Sequence, residues 1–320
     1  MVKLPTPSLF SKSAAGSATR LGAPDDPRLV KFAREVNSLE ELEPAARIAL
    51  AQHVERDDLI RQITVAPRQR LLGANRNWFN SLLLWKLTPD WVLVLTETHV
   101  VVAATTHPGA KPVVISTPIL DILSLEMGTI LLHAWVEWSW ANQGRLDCTR
   151  IYFNAVGQRW FMRALEYLRR DLINQAGPQP AQTARHLDYL AGLPFKFANI
   201  ILYDLLLPTE QVQAVIYRPA IWSSHRGLFR RQRAPAMTLV LSNYHILIAE
   251  EDLTGRECWG LITRFCPRSR ICHATLEREQ DSLWLNLVLD LQEVRQEVRI
   301  HFEFGAEQAI SEMLALLQAA

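Results

Sequence analysis

Glycine is sparse in this chain, 13 of 320 residues, and the loops that need closely spaced glycines to cradle a phosphate are missing. There is no Gly-x-x-x-x-Gly-Lys segment, no dinucleotide fingerprint, no Gly-x-Ser-x-Gly elbow and no His-Glu-x-x-His helix. These absences exclude the common nucleotide-binding, serine-hydrolase and zinc-peptidase signatures, and the expectation is a chain that is not an enzyme and carries no cofactor. Cysteine is equally thin: Cys148, Cys258, Cys266 and Cys272 form no Cys-x-x-Cys pair, which excludes a disulfide framework and suits buried thiols in a reducing compartment. Cys266, Cys272 and His273 lack the tight ligand spacing of zinc sites, so no metal is expected. Excess charge of either sign is absent as well, 34 Lys and Arg against 33 Asp and Glu, which excludes a broadly nucleic-acid-coating surface. The densest apolar stretches, "NIILYDLLLP" and "ILLHAWVEWSW", are short and carry acids; they are not membrane-spanning helices.

What the chain does contain is itself, twice. "WVLVLTETHVVVA" (91–103) aligns without a gap on "MTLVLSNYHILIA" (237–249), matching Leu93 with Leu239, Val94 with Val240, Leu95 with Leu241, His99 with His245 and Ala103 with Ala249. Each reads as strand, polar turn and returning strand. "TRIYFNAVGQRWFMRALEYLRR" (149–170) likewise aligns on "VRIHFEFGAEQAISEMLALLQA" (298–319), an alternating strand running into an amphipathic helix. Phe161, Ala164, Leu165 and Leu168 recur at helical spacing in the first, Ile310, Met313, Leu314 and Leu317 in the second. Between these anchors each half carries further strand-like runs, and "RQRLLGANRNWF" and "EQVQAVIYRPAIW" supply one more strand apiece. Each half therefore reads as roughly seven antiparallel strands closed by one C-terminal helix, a mainly β chain with helices, α+β in class.

Helical stretches precede both halves: "LEELEPAARIALAQHVERDDLIRQI", with Ser38 and Glu41 as a capping box, and "FKFANIILYDLLL", halted by Pro208. The resulting division is a disordered tail over 1–26, an N-terminal helical segment over 27–66, a first domain over 67–173, a linker rich in Pro and Gln over 174–194, and a second domain with its leading helix over 195–320. The tail, Ser, Ala and Pro rich, shares its composition with organelle-targeting peptides, but shows no amphipathic pattern. The compartment expected is the cytoplasm.

Element order, the two hairpins and the "TRIYF" and "VRIHF" strands leading into helices resemble the pleckstrin-homology-like (PH-like) superfold, in its divergent bacterial versions. The resemblance implies two tandem PH-like domains, each a seven-stranded β-sandwich or open barrel capped by a helix. Trp160 stands in the first closing helix, where many eukaryotic members carry a tryptophan; the second helix has none. A fold of this kind hosts lipid binders, peptide binders and scaffolds. The expected function is non-enzymatic: a scaffolding or interaction protein binding an unidentified protein or peptide, with peripheral attachment to an anionic membrane as the alternative.

Members that bind phosphoinositide headgroups use the loop between their first two strands. Here that loop is "SSHRGLFRRQRAP" (223–235), with four arginines and no acid. Arg218, with Arg231 and Arg233, looks like the basic arrangement of such sites. The candidate anion-binding set is Arg218, His225, Arg226, Arg230, Arg231 and Arg233, whose guanidinium forks suit phosphate oxygens. Leu228 and Phe229 at the tip would enter the acyl boundary. The plain alternative is a solvated basic turn facing Glu250, Glu251 and Asp252. In the first half the matching loop, "NSLLLWKLTPD" (80–90), is apolar, and Leu83, Leu84 and Trp85 are candidates for a membrane or interdomain contact. His99 and His245 invite a catalytic or metal role, but a turn residue retained in two copies is more economically a hairpin feature. Arg264, Arg268 and Arg270 would extend the basic surface, and the tryptophans, Trp138 and Trp140 among them, would fill cores.

Overall fold

The structure is a computed structural model and describes residues 32–54, 58–72, 85–175, 189–225, 229–252, 260–279 and 282–318. The first half comprises β1 (Arg34–Val36), α1 (Pro44–Ala51), β2 (Gln62–Ala66), a small hairpin β3 (Arg70–Leu72) and β4 (Trp85–Leu87), β5 (Asp90–Leu95), β6 (His99–Thr105), β7 (Val113–Pro118), β8 (Ile122–Ile130), β9 (His133–Asn142), β10 (Arg145–Asn154) and α2 (Gln158–Gln175). The second comprises α3 (Phe195–Ile200), which runs into a π-helical turn over Ile201–Leu205, then β11 (Val212–Arg218), hairpin β12 (Ile221–His225) and β13 (Phe229–Ala234), β14 (Met237–Ser242), β15 (His245–Glu251), β16 (Gly260–Pro267), β17 (Ile271–Glu279), β18 (Ser282–Leu291), β19 (Val294–Phe302) and α4 (Glu307–Gln318). The chain is mainly β with antiparallel sheets, as its strand-like runs imply. From β2 and from β11 onward the same order of elements occurs twice, down to the 3₁₀ corner after Pro118 and after Pro267 and the left-handed turn pairs Gln143-Gly144 and Gln292-Glu293; β1 has no counterpart among the described residues.

Two stretches differ from the sequence expectation. Among the described residues of this stretch the α-helix spans Pro44–Ala51, after a 3₁₀ turn at Leu39–Glu41, and it starts at Pro44 because a proline can sit in a first helical turn but not inside one. Asn37 N–H donates to Glu41 Oε1 at 3.0 Å, while Ser38 makes no side-chain cap. The opening strand of the first half is "QITVA" (62–66), within the stretch expected to be helical, and "RLL" (70–72) belongs to the small hairpin. Thr64 and Val65 are β-branched, and Ile63 faces α1.

The strands form a 5-stranded sheet, β1-β2-β5-β6-β7, a 7-stranded sheet, β10-β9-β8-β16-β15-β14-β11, and a 3-stranded sheet, β17-β18-β19, besides the two small hairpins. The 7-stranded sheet takes its strands from both halves. β8 and β16 pair antiparallel from Gly260↔Ile130 to Phe265↔Leu125, so the two halves share one continuous ladder. Strand parity then assigns the faces. Leu125, Met127, Val136, Trp138, Ile151, Phe153, Val240, Leu247 and Phe265 enter a core shared with the 5-stranded sheet, α2 and α3. Leu239, Leu241, Ile246, Ile248 and Cys266 face the 3-stranded sheet and α4. On its other side the 5-stranded sheet is covered by Leu42 and, from α1, by Ala46 and Leu50. Trp138 and Trp140 are buried in the shared core.

Along the outer face of the 7-stranded sheet the register sets Arg150, Glu137, Glu126 and Arg264 side by side across β10, β9, β8 and β16. Arg264 Nη2 lies 2.6 Å from Glu126 across the seam, and Arg150 pairs with Glu137. One row further, Trp135 lies over Gly128 and donates its Nε1–H to Glu126 at 3.1 Å. A methyl on Gly128 would fall inside the Trp135 ring.

A second clamp is buried. Arg169, on α2, pairs with Glu210 and donates to the Leu205 carbonyl at 2.6 Å. Glu210 also accepts from Ser242 Oγ at 2.9 Å and from His245 Nδ1 at 2.6 Å. Burial alone would raise Glu210, but Arg169, then His245 and the hydrogen bonds, hold it down at about 2. Burial lowers His245 against the pull of Glu210, so the imidazole is neutral and its Nδ1–H donates. Both groups bind fewer protons folded than unfolded. Stability is therefore expected to fall as pH drops below about 6.5, where an unfolded His245 takes up a proton, and again from about 4.5 towards 2 for Glu210. Glu210→Gln strands the buried Arg169 charge and is expected to cost about 3–5 kcal/mol at neutral pH, with a shallower acid slope; urea unfolding across pH checks both.

Candidate functional site

The matching turns of His99 and His245 are built alike. Thr96 Oγ1 accepts from the His99 backbone N–H at 2.9 Å, and Ser242 Oγ accepts from that of His245 at 2.9 Å. Each hydroxyl donates to a carboxylate just ahead of its half's opening strand, Thr96 to Asp58 at 2.7 Å and Ser242 to Glu210 at 2.9 Å. Ser242, His245 and Glu210 are no nucleophilic triad in this arrangement. The hydroxyl and the imidazole both bond the carboxylate, so the imidazole is not placed to take the hydroxyl proton, and all three are buried. Among the described residues no cluster of His, Cys, Asp and Glu could hold a metal ion. Cys266 is buried, which pushes its thiol up to about 12, and Cys272 is exposed.

The basic stretch turns out to be a ladder. Ser223↔Arg231, Ser224↔Arg230 and His225↔Phe229 pair as the hairpin β12-β13, standing off the end of the 7-stranded sheet between β11 and β14. Arg226 and Leu228 lie outside the described residues, as do Leu83 and Leu84; Trp85 opens β4. Below the hairpin a cleft of about 200 Å³ opens between the second half's two sheets. Its polar lining is Arg218, Arg233, Arg264, Arg299, His301 and Glu250, with Trp284 as its aromatic wall.

Arg218 is the deepest of these, 5% exposed. Its guanidinium donates to the carbonyls of His301 at 2.5 Å and Pro235 at 2.6 Å, tying the base of the hairpin to β19. Burial lowers its pKa, opposed by Glu250. Arg233 is exposed at the mouth. Arg299 stacks over Trp284, 4.4 Å from the ring centroid, and pairs with Glu279. Burial raises Glu250 despite Arg218 and Arg264, and burial followed by Arg218 and Arg233 lowers His301. The cleft thus gathers four guanidinium groups around Glu250, of which Arg264 and Arg299 are paired outward with Glu126 and Glu279 and Arg218 with backbone carbonyls. Arg268 and Arg270 do not extend it: Arg268 reaches the Leu316 and Leu317 carbonyls at the end of α4, and Arg270 the Leu120 and Ile122 carbonyls.

A second concavity lies beside the closing helix of the first half. A groove of about 660 Å³ runs between α2 and the π-helical turn, with Val156, Met162, Leu165, Tyr203 and Leu206 as apolar lining and Arg159 and Asp204 at its margins. Burial raises Asp204. Sequence periodicity marks the buried stripe of α2 but not this flank, because the groove exists only where α3 docks into the first half's core. No family model matches the sequence, and no curated protein matches it. Arg218→Ala leaves two carbonyls without their donor and is expected to lower stability by about 1–3 kcal/mol, whereas Arg233→Ala should stay within about 0.5 kcal/mol. Denaturant midpoints of the two variants separate the strut from the mouth.

Proposed function

We propose that the chain is a non-enzymatic interaction protein built of two PH-like halves, which receives a protein or peptide partner in the groove beside α2. The observation that carries this reading is the groove itself: Val156, Met162, Tyr203 and Leu206 line it together with Arg159, Arg163, Glu166, Arg169 and Asp204, a mixed lining that offers a peptide both an apolar anchor site and charged partners. The division into two PH-like units rests on the twofold element order and on the resemblance of each half to that superfold. Selection from a random peptide library against the intact protein is expected to yield binders that protect residues 156–166 and 203–207 from hydrogen exchange and that fail against Met162→Glu. Binders whose footprint lies elsewhere, or none at all, overturn it.

A second reading is favoured by the cleft. Arg218, Arg233, Arg264 and Arg299 gathered in one cleft, beneath a hairpin whose sequence adds Arg226, Arg230 and Arg231, support capture of an anionic lipid headgroup at a membrane surface. Each cation near such a surface contributes on the order of 1 kcal/mol. Replacing Arg230, Arg231 and Arg233 by alanine is then expected to lower partition onto anionic vesicles about a hundredfold at low salt, with little binding of the intact protein to neutral vesicles. Co-sedimentation at two salt concentrations checks this.

A further inference from the structure

The end of the 7-stranded sheet that carries the basic hairpin also carries exposed apolar side chains that the fold does not require. β8 turns into β9 through Leu131 and Leu132, between the paired residues Ile130 and His133. Leu131 has φ 53°, a left-handed conformation that disfavours leucine. The two side chains are 65% and 64% exposed. Ala155 N–H donates to the Leu132 carbonyl at 2.9 Å, which sets Val156, 62% exposed, beside the tip.

The second half is an internal control. From Pro118 to the closing helix the two halves align without a gap at one displacement, Pro118 on Pro267 and Arg150 on Arg299. At that displacement Leu131, Leu132 and Val156 fall on Gln280, Asp281 and Gly305. The other tight turns, Gln143-Gly144 and Gln292-Glu293, are polar or glycine, as exposed hairpin tips usually are. The fold is thus built a second time without the apolar triplet, so its presence in the first half points to something that covers it.

The seam fixes where the triplet lies. Gly128, Ile262, Glu250, Met237 and Arg218 form one row across β8, β16, β15, β14 and β11. At ~4.8 Å per strand, the Leu131-Leu132 tip and the basic hairpin project from the same end roughly 19 Å apart. Phe195 and Trp222, also exposed, stand on this end too, Phe195 beside the Lys196–Glu251 pair at the end of β15 and Trp222 on β12. Arg159 and Arg233 are exposed along the line. Among the described residues the acids there include Glu251, which faces Lys196, Asp252, which is buried, and Asp204, whose pKa burial raises.

We propose that this end of the sheet is a membrane-docking edge, in which Leu131, Leu132 and Val156 enter the acyl boundary of an anionic bilayer while the arginines of the β12-β13 hairpin meet its headgroups. Two signals of this kind together give an attachment that neither gives alone. The proposal rests on the headgroup reading of the cleft, and the test separates the two.

Leu131→Gln with Leu132→Asp installs the residues of the other half, and the exposed site keeps thermal stability unchanged. The probe is a phosphatidylcholine vesicle with about one third phosphatidylserine, beside a pure phosphatidylcholine vesicle. The intact protein is expected to bind the anionic vesicle, and the leucine variant to bind about tenfold or more weakly with its salt dependence retained. Leu131→Trp is expected to bind more tightly than the leucine variant. Intact binding that the leucine variant leaves unchanged overturns the docking edge and leaves the headgroup reading standing. Loss in the leucine variant without loss in the arginine variant overturns the headgroup reading, and with it the two-signal docking edge, leaving the leucine tip as an apolar contact alone. Absence of intact binding to either vesicle overturns both, and self-association that the leucine variant abolishes makes the triplet a protein contact instead.

Discussion

Antiparallel pairing of Ile122–Ile130 with Gly260–Pro267 sets the form of the whole molecule. In each half the chain turns a corner after a proline, at Pro118 and at Pro267, and passes from one sheet to the next. Those corners would leave a bare edge on β8 and another on β16, and bare edges invite pairing with other chains. Here each satisfies the other. The register is held by charge as well as by hydrogen bonds. A slip of β8 by one residue would turn Glu126, the partner of Arg264, into the shared core and Leu125 out of it.

Because one sheet serves both halves, each half is completed by the other. Leu190, Phe197, Ile201 and Leu205, which precede the second half's strands, sit in the core that both halves share. Glu210, immediately before β11, is neutralised by Arg169 of the first half's closing helix. A carboxylate so buried is stable only with its partner in place, so the pair ties the docking of α2 to the folding of the second hairpin. The seam also gives the loops of both halves a common direction, which two domains on a free linker would not share.

The twofold order of strands and closing helices was legible because repetition and periodicity are local properties. "WVLVL" and "MTLVL" are continuous apolar runs rather than alternating ones, the mark of strands covered on both faces. What covers them is a non-local matter: α1 for Val92 and Val94, the first half's core for Val240. Nothing in the sequence around residues 122–130 or 260–267 announces that they pair, since edge strands of separate domains would carry the same pattern. The first half's opening strand was misplaced for a related reason: "DDLIRQI" continues a helical period, and only the ladder between Ile63 and Val94 overrides it. Of the candidate site, Arg218 and Arg233 were identified and do line one cleft. The depth of Arg218 was not legible, because its acceptors are carbonyls, which every residue has.

Comparison of the halves carries the argument past that limit. The turn hydroxyls Thr96 and Ser242, the histidines after them and the carboxylates Asp58 and Glu210 are retained at equivalent places; that much the fold asks of the sequence. Ala66 and Arg218 end equivalent strands, opposite Trp91 and Met237, and there the copies diverge. The first half closes that end of its sandwich with a methyl group, the second with a guanidinium that knits a basic hairpin to β19. The first half needs no such strut, so the arginine belongs to what the second half alone carries, its basic hairpin, and the cleft above it is where that difference opens to solvent.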